Sequence, residues 1–284
     1  MLSIKASLTR KEHDAMNSKV KLDDARNEIV AARNLTVGYG NKKVWKNANF
    51  SVNRGEFVAV IGPNGAGKTT MFRMLLGLQN PIEGTLNVFG SKPARGNSKI
   101  GYVPQRHTID NETNIACVEL VRLAYSGHRW GLSISSQKEK EAAYGALSAV
   151  GAAELSNKSL GSLSGGELQR IFLAEALVSN PEMLLLDEPL SNLDIKRTKD
   201  LVRVVDDVVR SRNVTVFLVA HDINPLIHFL DKVIYIANGK VATGTPEEVL
   251  TSKRLSELYG TRVEVLRDSR DNIVIIGAED HHGV

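Results

Sequence analysis

Short apolar runs separated by glycine-rich or polar turns characterise the chain from residue 29 to residue 105. Between two of these runs, Met71, Met74, Leu75 and Leu78 recur at helical spacing, which predicts a helix over 68–78. Residues 1–28 are polar and lack such a pattern, so we expect them to form an extension. The runs predict strands at 29–32, 43–51, 57–61, 85–89 and 100–103.

Helical patterns replace the strand patterns from about residue 114 to residue 179. Ser136 with Glu139 forms a plausible capping box for a helix that reaches residue 150, and Ser164 with Glu167 forms a second box. The second helix should end at the Asn-Pro pair at 180–181. We therefore expect a helical subdomain at about 106–179.

Strand patterns return after this subdomain. The runs 183–186 and 214–219 are entirely apolar, as in strands buried on both faces of a parallel sheet. Asn238-Gly239 predicts a hairpin turn between strands at 233–237 and 240–243. A helix should follow from Thr245 to Tyr259, and a strand pair at 263–266 and 273–276 should end the pattern.

The composition excludes several classes of protein. Hydrophobic residues make up 42% and charged residues 24% of the 284 residues, as in ordinary globular proteins. The net charge of +4 arises from scattered basic residues, so we predict no nucleic-acid partner. Cys117 is the sole cysteine, which excludes an intramolecular disulfide and a thiolate cluster. No apolar run approaches the roughly 20 residues of a bilayer span, so another chain would supply any membrane part.

A glycine-rich segment after the third predicted strand matches the phosphate-loop pattern G-x-x-x-x-G-K-[ST]. Such loops bind polyphosphate through converging backbone N–H groups at a helix start, whereas the alternative is a tight turn without a ligand. Lys68 should reach the β- and γ-phosphates of ATP, and the Thr69 hydroxyl should bind Mg²⁺. The predicted nucleotide-binding residues are Gly62, Pro63, Asn64, Gly65, Ala66, Gly67, Lys68, Thr69 and Thr70.

The run at 183–186 leads into Asp187 and Glu188. Because ligands of open α/β sheets gather at the carboxyl ends of the strands, Asp187 should bind Mg²⁺ there. Glu188 should accept a proton from the water that attacks the γ-phosphate. By itself, an apolar run ending in two acids is also an ordinary strand end.

The helix start at Ser164, Gly165 and Gly166 forms a second potential phosphate site. Alone it is most simply a helix cap. Together with the phosphate loop and the Asp187-Glu188 pair, it resembles the nucleotide-binding subunit of an ATP-binding-cassette (ABC) transporter, over about 29–245. The resemblance implies a homodimer in which this signature segment closes over ATP bound to the other copy.

The resemblance also implies roles for four isolated residues. Tyr39 would stack on adenine, Gln105 would sense the magnesium ion and water, Asp194 would lie at the dimer seam, and His221 would contact the γ-phosphate. Each has a simpler alternative. Tyr39 could be surface packing, Gln105 could have no role, Asp194 could cap the helix after it, and His221 with Asp222 could cap a helix starting at residue 223.

The resemblance implies an α/β fold, with a parallel sheet core of the P-loop NTPase type, an N-terminal antiparallel β region and the inserted helical subdomain. The expected divisions are 1–28, an ABC ATPase domain at 29–245, and a C-terminal helix and strand-pair extension at 246–284. No coiled-coil insertion, second cassette or internal repeat is present, which favours a transporter subunit over repair or translation ATPases.

The stretches 103–106, 221–226 and 244–250 resemble bacterial importers of zinc or manganese and the related metal-chelate branch. This likeness implies ATP hydrolysis with ATP and Mg²⁺, integral-membrane permease subunits and an extracytoplasmic substrate-binding protein. The location would be the cytoplasmic face of the membrane, peripheral through the permease. Two alternatives remain open, an importer of a non-metal cargo and an ATPase switch that acts on a macromolecule without a permease. His281 and His282 are more simply solvated tail residues than a metal site.

Overall fold

The computed structural model describes residues 27–40, 42–105, 113–126, 137–191, 193–269 and 271–277. Its strands are β1 (Glu28–Tyr39), β2 (Lys42–Asn53), β3 (Phe57–Ile61), β4 (Glu83–Val88), β5 (Ile100–Val103), β6 (Met183–Asp187), β7 (Thr215–Val219), β8 (Lys232–Ala237), β9 (Lys240–Gly244), β10 (Glu264–Arg267) and β11 (Ile273–Ile276). Its helices are α1 (Lys68–Leu75), α2 (Cys117–Ser126), α3 (Gln137–Ala149), α4 (Gly165–Leu177), α5 (Ile195–Arg212), α6 (Pro246–Val249) and α7 (Ser252–Tyr259), and two 3₁₀ turns lie at Ala153–Leu155 and Leu160–Ser162.

A six-stranded sheet in the order β5-β6-β7-β3-β8-β9 forms the centre of the molecule. The first five strands are parallel, and β9 pairs antiparallel with β8 at one edge. Alternate residues of β3 enter different cores, with Val58 and Val60 on one face and Ala59 and Ile61 on the other. Burial on both faces explains why β3 is entirely apolar in sequence and why β6 and β7 are nearly so.

The antiparallel sheet β2-β1-β4 covers one face of the central sheet. Trp45 and Phe50 of β2 are buried between the two sheets. Helix α1 contributes Met71 and Phe72 to the same core, so the predicted N-terminal antiparallel region is present. Because α1 is fixed on this face, the loop between β3 and α1 has a defined position at the end of the central sheet.

Helices α2 to α5 belong to the core on the opposite face. On α5, Leu201, Val205 and Val208 follow helical spacing and are buried. The predicted capping box opens α4, where the Ser164 backbone N–H donates to the Glu167 carboxylate at 2.9 Å. Ser136, predicted to cap α3, lies outside the described residues. Among the described helices, none has the length and apolar character that a bilayer crossing needs.

The hairpin β8–β9 turns at Asn238-Gly239 with φ angles of 46° and 72°, as the sequence predicts. The single helix predicted to end at Tyr259 is wrong, since α6 ends at Val249 and Leu250 leaves helical geometry. Thr251 then caps α7 by accepting a hydrogen bond from the Arg254 N–H at 3.2 Å. A threonine that can cap a new helix competes with continuation of the old one.

Helix α1 is also shorter than predicted. It ends at Leu75, and the N–H of Leu78 turns back to the Arg73 carbonyl at 2.8 Å. The Gly77 N–H binds the Met74 carbonyl at 2.9 Å, which completes a Schellman motif. Leu78, which matches the helical spacing in sequence, is therefore exposed beyond the helix end.

Candidate functional site

The predicted phosphate loop lies between the carboxyl end of β3 and the start of α1. Gly67 has a φ angle of 103°, and a Cβ atom there would lie 2.8 Å from Trp45 Nε1. Lys68 is buried, and its Nζ donates to the Gly62 carbonyl at 2.8 Å and to the Pro63 carbonyl at 3.1 Å. The loop thus holds an ammonium group beside the backbone N–H groups of a helix start, an arrangement suited to anions.

Asp187 ends β6 and is buried. Burial raises the pKa of Asp187, and the nearby Glu188 raises it further, whereas Lys68 and a hydrogen bond from Thr69 lower it. Within the described part of the chain, its Oδ1 is buried without a hydrogen-bond partner. A carboxylate with an unsatisfied buried oxygen beside a threonine hydroxyl is a donor set that suits Mg²⁺, which prefers hard oxygen ligands.

Glu188 adopts a left-handed backbone conformation with φ of 53°. For a non-glycine residue this costs roughly 1–3 kcal/mol and persists only where surrounding contacts enforce it. The Glu188 N–H donates to the Val219 carbonyl at 3.2 Å. The Ser191 hydroxyl and N–H both donate to the Glu188 carbonyl, at 2.8 and 3.2 Å. These contacts from β7 and from the following turn hold the strained residue.

The Glu188 carboxylate joins two residues from other segments. Its Oε1 lies 2.8 Å from His221 Nε2, after β7. Its Oε2 accepts a hydrogen bond of 2.6 Å from Gln105 Nε2, after β5. Three residues that are far apart in sequence therefore meet at the carboxyl ends of neighbouring parallel strands, next to Asp187.

Tyr39 ends β1 beside the phosphate loop, and its hydroxyl lies 3.2 Å from Thr70 Oγ1. The tyrosine is 50% exposed. An exposed ring at the border of a phosphate site can stack on a flat base. The geometry therefore permits the stacking role that the resemblance implies for this residue.

The second glycine-rich segment lies elsewhere. Ser164 donates from N and Oγ to the Glu167 carboxylate at 2.9 and 2.8 Å. These two bonds and a contact from Lys158 Nζ at 3.2 Å lower the pKa of Glu167 to about 2. Ser164 and Gly166 line a cleft of about 360 Å³ with residues at the start of α5, whereas Gly165 begins α4. The chain thus does not bring this segment to its own phosphate loop.

Asp194 caps α5, since its Oδ1 accepts a hydrogen bond from the Arg197 N–H at 2.9 Å. The structure therefore shows the cap, and the position of Asp194 at a dimer seam stays a prediction. Leu193, the residue before it, lines both the cleft at Ser164 and a second cleft of about 560 Å³ beside Glu188 and His221. The turn at Asp194 accordingly lies between the two clefts.

The alternative that His221 and Asp222 cap a helix is wrong, because no helix starts at residue 223 and residues 224–229 form turns. Pro225 lacks an N–H and disfavours helical geometry at the residue before it. Asp222 Oδ1 instead accepts from the N and Nδ2 atoms of Asn224, at 2.9 and 3.0 Å.

Two residues of the site, Ser191 and Asn224, had no signal in the sequence. The Ser191 hydroxyl binds a main-chain carbonyl, which no side-chain pattern reveals. The Asn224 amide binds the main chain of Ile273, 49 residues away. Such contacts become visible only in the folded chain.

Comparisons with known proteins agree with this geometry. The family model described as ABC transporter matches residues 45–191. Over 235 residues, the chain is 31% identical to the manganese transport system ATP-binding protein MntB of Bacillus subtilis (strain 168), covering 83% of this chain and 94% of that protein. It is 33% identical to the zinc uptake system ATP-binding protein ZurA of Listeria innocua, covering 78% of this chain and 88% of that protein. It is 34% identical to the hemin import ATP-binding protein HmuV of Escherichia coli O157:H7, covering 87% of this chain and 98% of that protein.

Solved structures show the same similarity. A metal-chelate type ABC transporter in an inward-facing conformation superposes with a TM-score of 0.74 at 27% identity, covering 88% of this chain and 96% of that one. The ATP-binding cassette MJ0796, in a dimeric post-hydrolysis state with ADP and phosphate, gives a TM-score of 0.63 at 28% identity, covering 76% and 98%. The predicted α/β class with its parallel core is confirmed.

Proposed function

This chain belongs to the ABC transporter family, and we propose that it is the ATP-hydrolysing subunit of an importer for a divalent metal ion or a metal chelate. As a member of that family, it binds ATP and is an ATPase. The proposed mechanism of ATP hydrolysis rests on the position of the Glu188 carboxylate, which is held between Gln105 and His221 at the end of the sheet. The functions of the relatives, which are manganese transport, zinc uptake and hemin import, support the cargo class.

The phosphate loop would hold the triphosphate. Backbone N–H groups at the start of α1 would bind the phosphate oxygens. The Lys68 Nζ would leave the carbonyls of Gly62 and Pro63 and bind the β- and γ-phosphates. Because Gly67 packs against Trp45, the loop backbone is fixed before the nucleotide arrives. The exposed ring of Tyr39 would stack on the adenine.

Thr69 and Asp187 would hold a magnesium ion, with Gln105 completing the predicted set. The buried Oδ1 of Asp187 and its hydrogen bond from Thr69 support this assignment. When bound, the ion would neutralise charge that develops on the phosphate oxygens. The ion would also favour the ionised form of Asp187, against the burial that raises the pKa of this carboxyl group.

Glu188 would accept the proton of the water that attacks the γ-phosphate. Gln105 donates to one carboxylate oxygen, and His221 lies against the other, so the side chain is held in one orientation. His221 would in turn contact the γ-phosphate. General-base assistance of this kind is worth roughly 10²–10⁴ in rate.

A second copy of the chain would complete the site. Ser164 and Gly166, which flank Gly165, line a cleft that contains no residue of the phosphate loop, which supports action of the three residues on a nucleotide bound by another copy. Asp194, at the turn between the two clefts, would lie at the seam between the copies. The dimeric form of the cassette MJ0796 supports the same arrangement.

Permease subunits would supply the membrane path, and an extracytoplasmic substrate-binding protein would deliver the cargo. The chain would sit at the cytoplasmic face of the membrane, attached through the permease. Support comes from the relatives, which are named as ATP-binding proteins of transport or uptake systems.

Uptake measurements test the proposal in cells that lack the native gene. We expect the wild-type chain to restore uptake of radiolabelled manganese, radiolabelled zinc or hemin, and Glu188→Gln to fail at equal expression. Glu247→Gln is the matched control, because Glu247 is exposed on α6 and remote from the site. Unchanged uptake of all three cargoes without the chain would disprove the metal assignment. Failure of any membrane protein to co-purify from a gentle extract would disprove the transporter assignment.

A further inference from the structure

The Asn224 side chain and the main chain of Ile273 form a two-bond pair. Asn224 Oδ1 accepts from the Ile273 N–H at 2.6 Å, and Asn224 Nδ2 donates to the Ile273 carbonyl at 3.1 Å. Asn224 follows His221 by three positions, whereas Ile273 begins β11. The pair therefore connects the turn segment that carries His221 to the C-terminal strand pair β10–β11.

The segment 221–229 has little regular structure to hold it. Leu226 N–H binds the Ile223 carbonyl, and Phe229 N–H binds the Leu226 carbonyl, both at 2.8 Å. Closer to His221, the Asp222 carboxylate accepts two bonds from Asn224. The Asn224 amide therefore attaches the first residues of the segment to β11 by hydrogen bonds, in addition to the burial of Ile223 in the core.

The partner of Asn224 is itself well fixed. The Ile273 side chain is buried in the core that also contains α4 and α5. In the paired strand β10, the Val265 N–H donates to Ser252 Oγ of α7 at 2.9 Å. Asn272, the residue before Ile273, lines the same cleft as Glu188 and His221. The start of β11 is thus an anchored element directly beside the catalytic pair.

We infer that Asn224 is a positioning residue for His221, anchored on the main chain of β11, so that the C-terminal strand pair helps to set the geometry of hydrolysis. The inference rests on the proposed roles of Glu188 and His221. Removal of the Asn224 amide would free the turn and increase the distance between His221 Nε2 and Glu188 Oε1. Displacements of about 1 Å at a reacting group can cost up to 10²-fold in rate. The phosphate loop follows β3, in a different segment of the chain, and would be unaffected.

Asn224→Ala in the full chain, with ATP and magnesium, tests the inference. We expect kcat to fall about tenfold while the Kd for ATP stays within twofold of the wild-type value. Asn49→Ala is the matched control, because Asn49 also makes two amide bonds to main chain, with Asn34 N–H at 2.9 Å and the Asn47 carbonyl at 3.1 Å. That residue lies in the antiparallel sheet, so its loss should change kcat by less than twofold. A kcat of Asn224→Ala within twofold of the control would overturn the inference.

A double-mutant cycle separates positioning from general damage to the fold. If Asn224 acts through His221, the tenfold loss should disappear when Asn224→Ala is added to His221→Ala, measured by release of radiolabelled phosphate. A further tenfold loss in that background would overturn the inference. If Asn224→Ala were fully active while His221→Ala was impaired, the positioning role of Asn224 would be disproved and the role of His221 in hydrolysis would stand. An unimpaired His221→Ala would remove the role of His221 itself, and with it the inference.

Discussion

Asp187 and Glu188 are adjacent in the chain, yet the left-handed backbone of Glu188 directs their carboxylates into different surroundings. The Asp187 carboxylate is buried beside Thr69. The Glu188 carboxylate lies between Gln105 and His221. Two acids at one strand end can therefore serve two purposes, since the Asp187 carboxylate lies beside a threonine hydroxyl and the Glu188 carboxylate lies between groups that fix its orientation.

Glu188→Gln should abolish turnover and preserve binding. The substitution keeps the size of the side chain but removes its ability to accept a proton, so kcat should fall by about 10²-fold or more. The Kd for ATP should stay within about twofold, and dimers closed on ATP should accumulate in light scattering. Glu247→Gln is the control, with no expected change. Turnover of Glu188→Gln at the wild-type rate would show that another group accepts the proton.

Lys68→Ala should weaken nucleotide binding itself. The Lys68 Nζ is held at the loop by two carbonyls, in position to meet phosphate oxygens. A hydrogen bond to a charged group contributes about 1.5–3 kcal/mol, so its loss should raise the Kd for ATP by about 10- to 150-fold. Titration with a fluorescent ATP analogue measures the change. Lys240→Ala serves as control, since its Nζ binds the Glu257 carbonyl at the exposed hairpin. Equal affinity of the two variants would contradict the role of Lys68.

Local sequence signals predicted the parts of the fold that depend on local chemistry. The bounds of β3 and β5 agree with the runs in the sequence, and β3 is buried throughout its length. Asn238-Gly239 forms the predicted turn because both residues tolerate positive φ angles. The phosphate loop was predictable for a similar reason, since its pattern requires a strand before it and a helix after it.

Contacts between distant segments could not be predicted in this way. The left-handed conformation of Glu188 depends on Ser191 and on the Val219 carbonyl of β7, not on the preference of a glutamate. The helix breaks at Leu250 because Thr251 caps a new helix, in competition with the helix that Thr245 caps. The spacing of the apolar residues gives no information about this competition. The roles of Ser164 and Asp194 at a dimer seam stay predictions, because they concern a second copy of the chain.

Gly67→Ala should disrupt the phosphate loop. The φ angle of 103° is unfavourable for alanine, and the added methyl group would lie 2.5 Å from Val44 Cγ1 and 2.8 Å from Trp45 Nε1. We expect a loss of about 1–3 kcal/mol in the free energy of unfolding, measured in urea, and weaker binding of ATP. Gly145→Ala is the control, because Gly145 lies in α3 and a Cβ atom added there would meet no atom within 4 Å. That variant should be neutral or more stable, and an equal loss in both variants would contradict the steric argument.

Glu167→Gln should make stability less dependent on acid pH. Backbone and side-chain hydrogen bonds from Ser164, and then Lys158, lower the pKa of Glu167 from 4.5 to about 2 in the folded chain. A carboxyl group with a lowered folded pKa stabilises the protein above its unfolded pKa, and this stabilisation disappears as pH falls through the folded pKa. The window therefore runs from about pH 4.5 down to about pH 2. Because the Glu167 side chain is one-third exposed, solvent screening should limit the effect to about 1 kcal/mol.

The measurement compares urea unfolding of the wild-type chain and Glu167→Gln across this pH range. At pH 7 the variant should be less stable by the full amount, since its neutral amide loses the contact with Lys158 and accepts weaker bonds from Ser164. By pH 2 the two proteins should be about equally stable, because protonation removes the charge from the wild-type side chain as well. Glu247→Gln should follow the wild-type curve throughout. A constant difference between wild type and Glu167→Gln from pH 7 to pH 2 would show that the capping carboxylate acts through its shape and not through its charge.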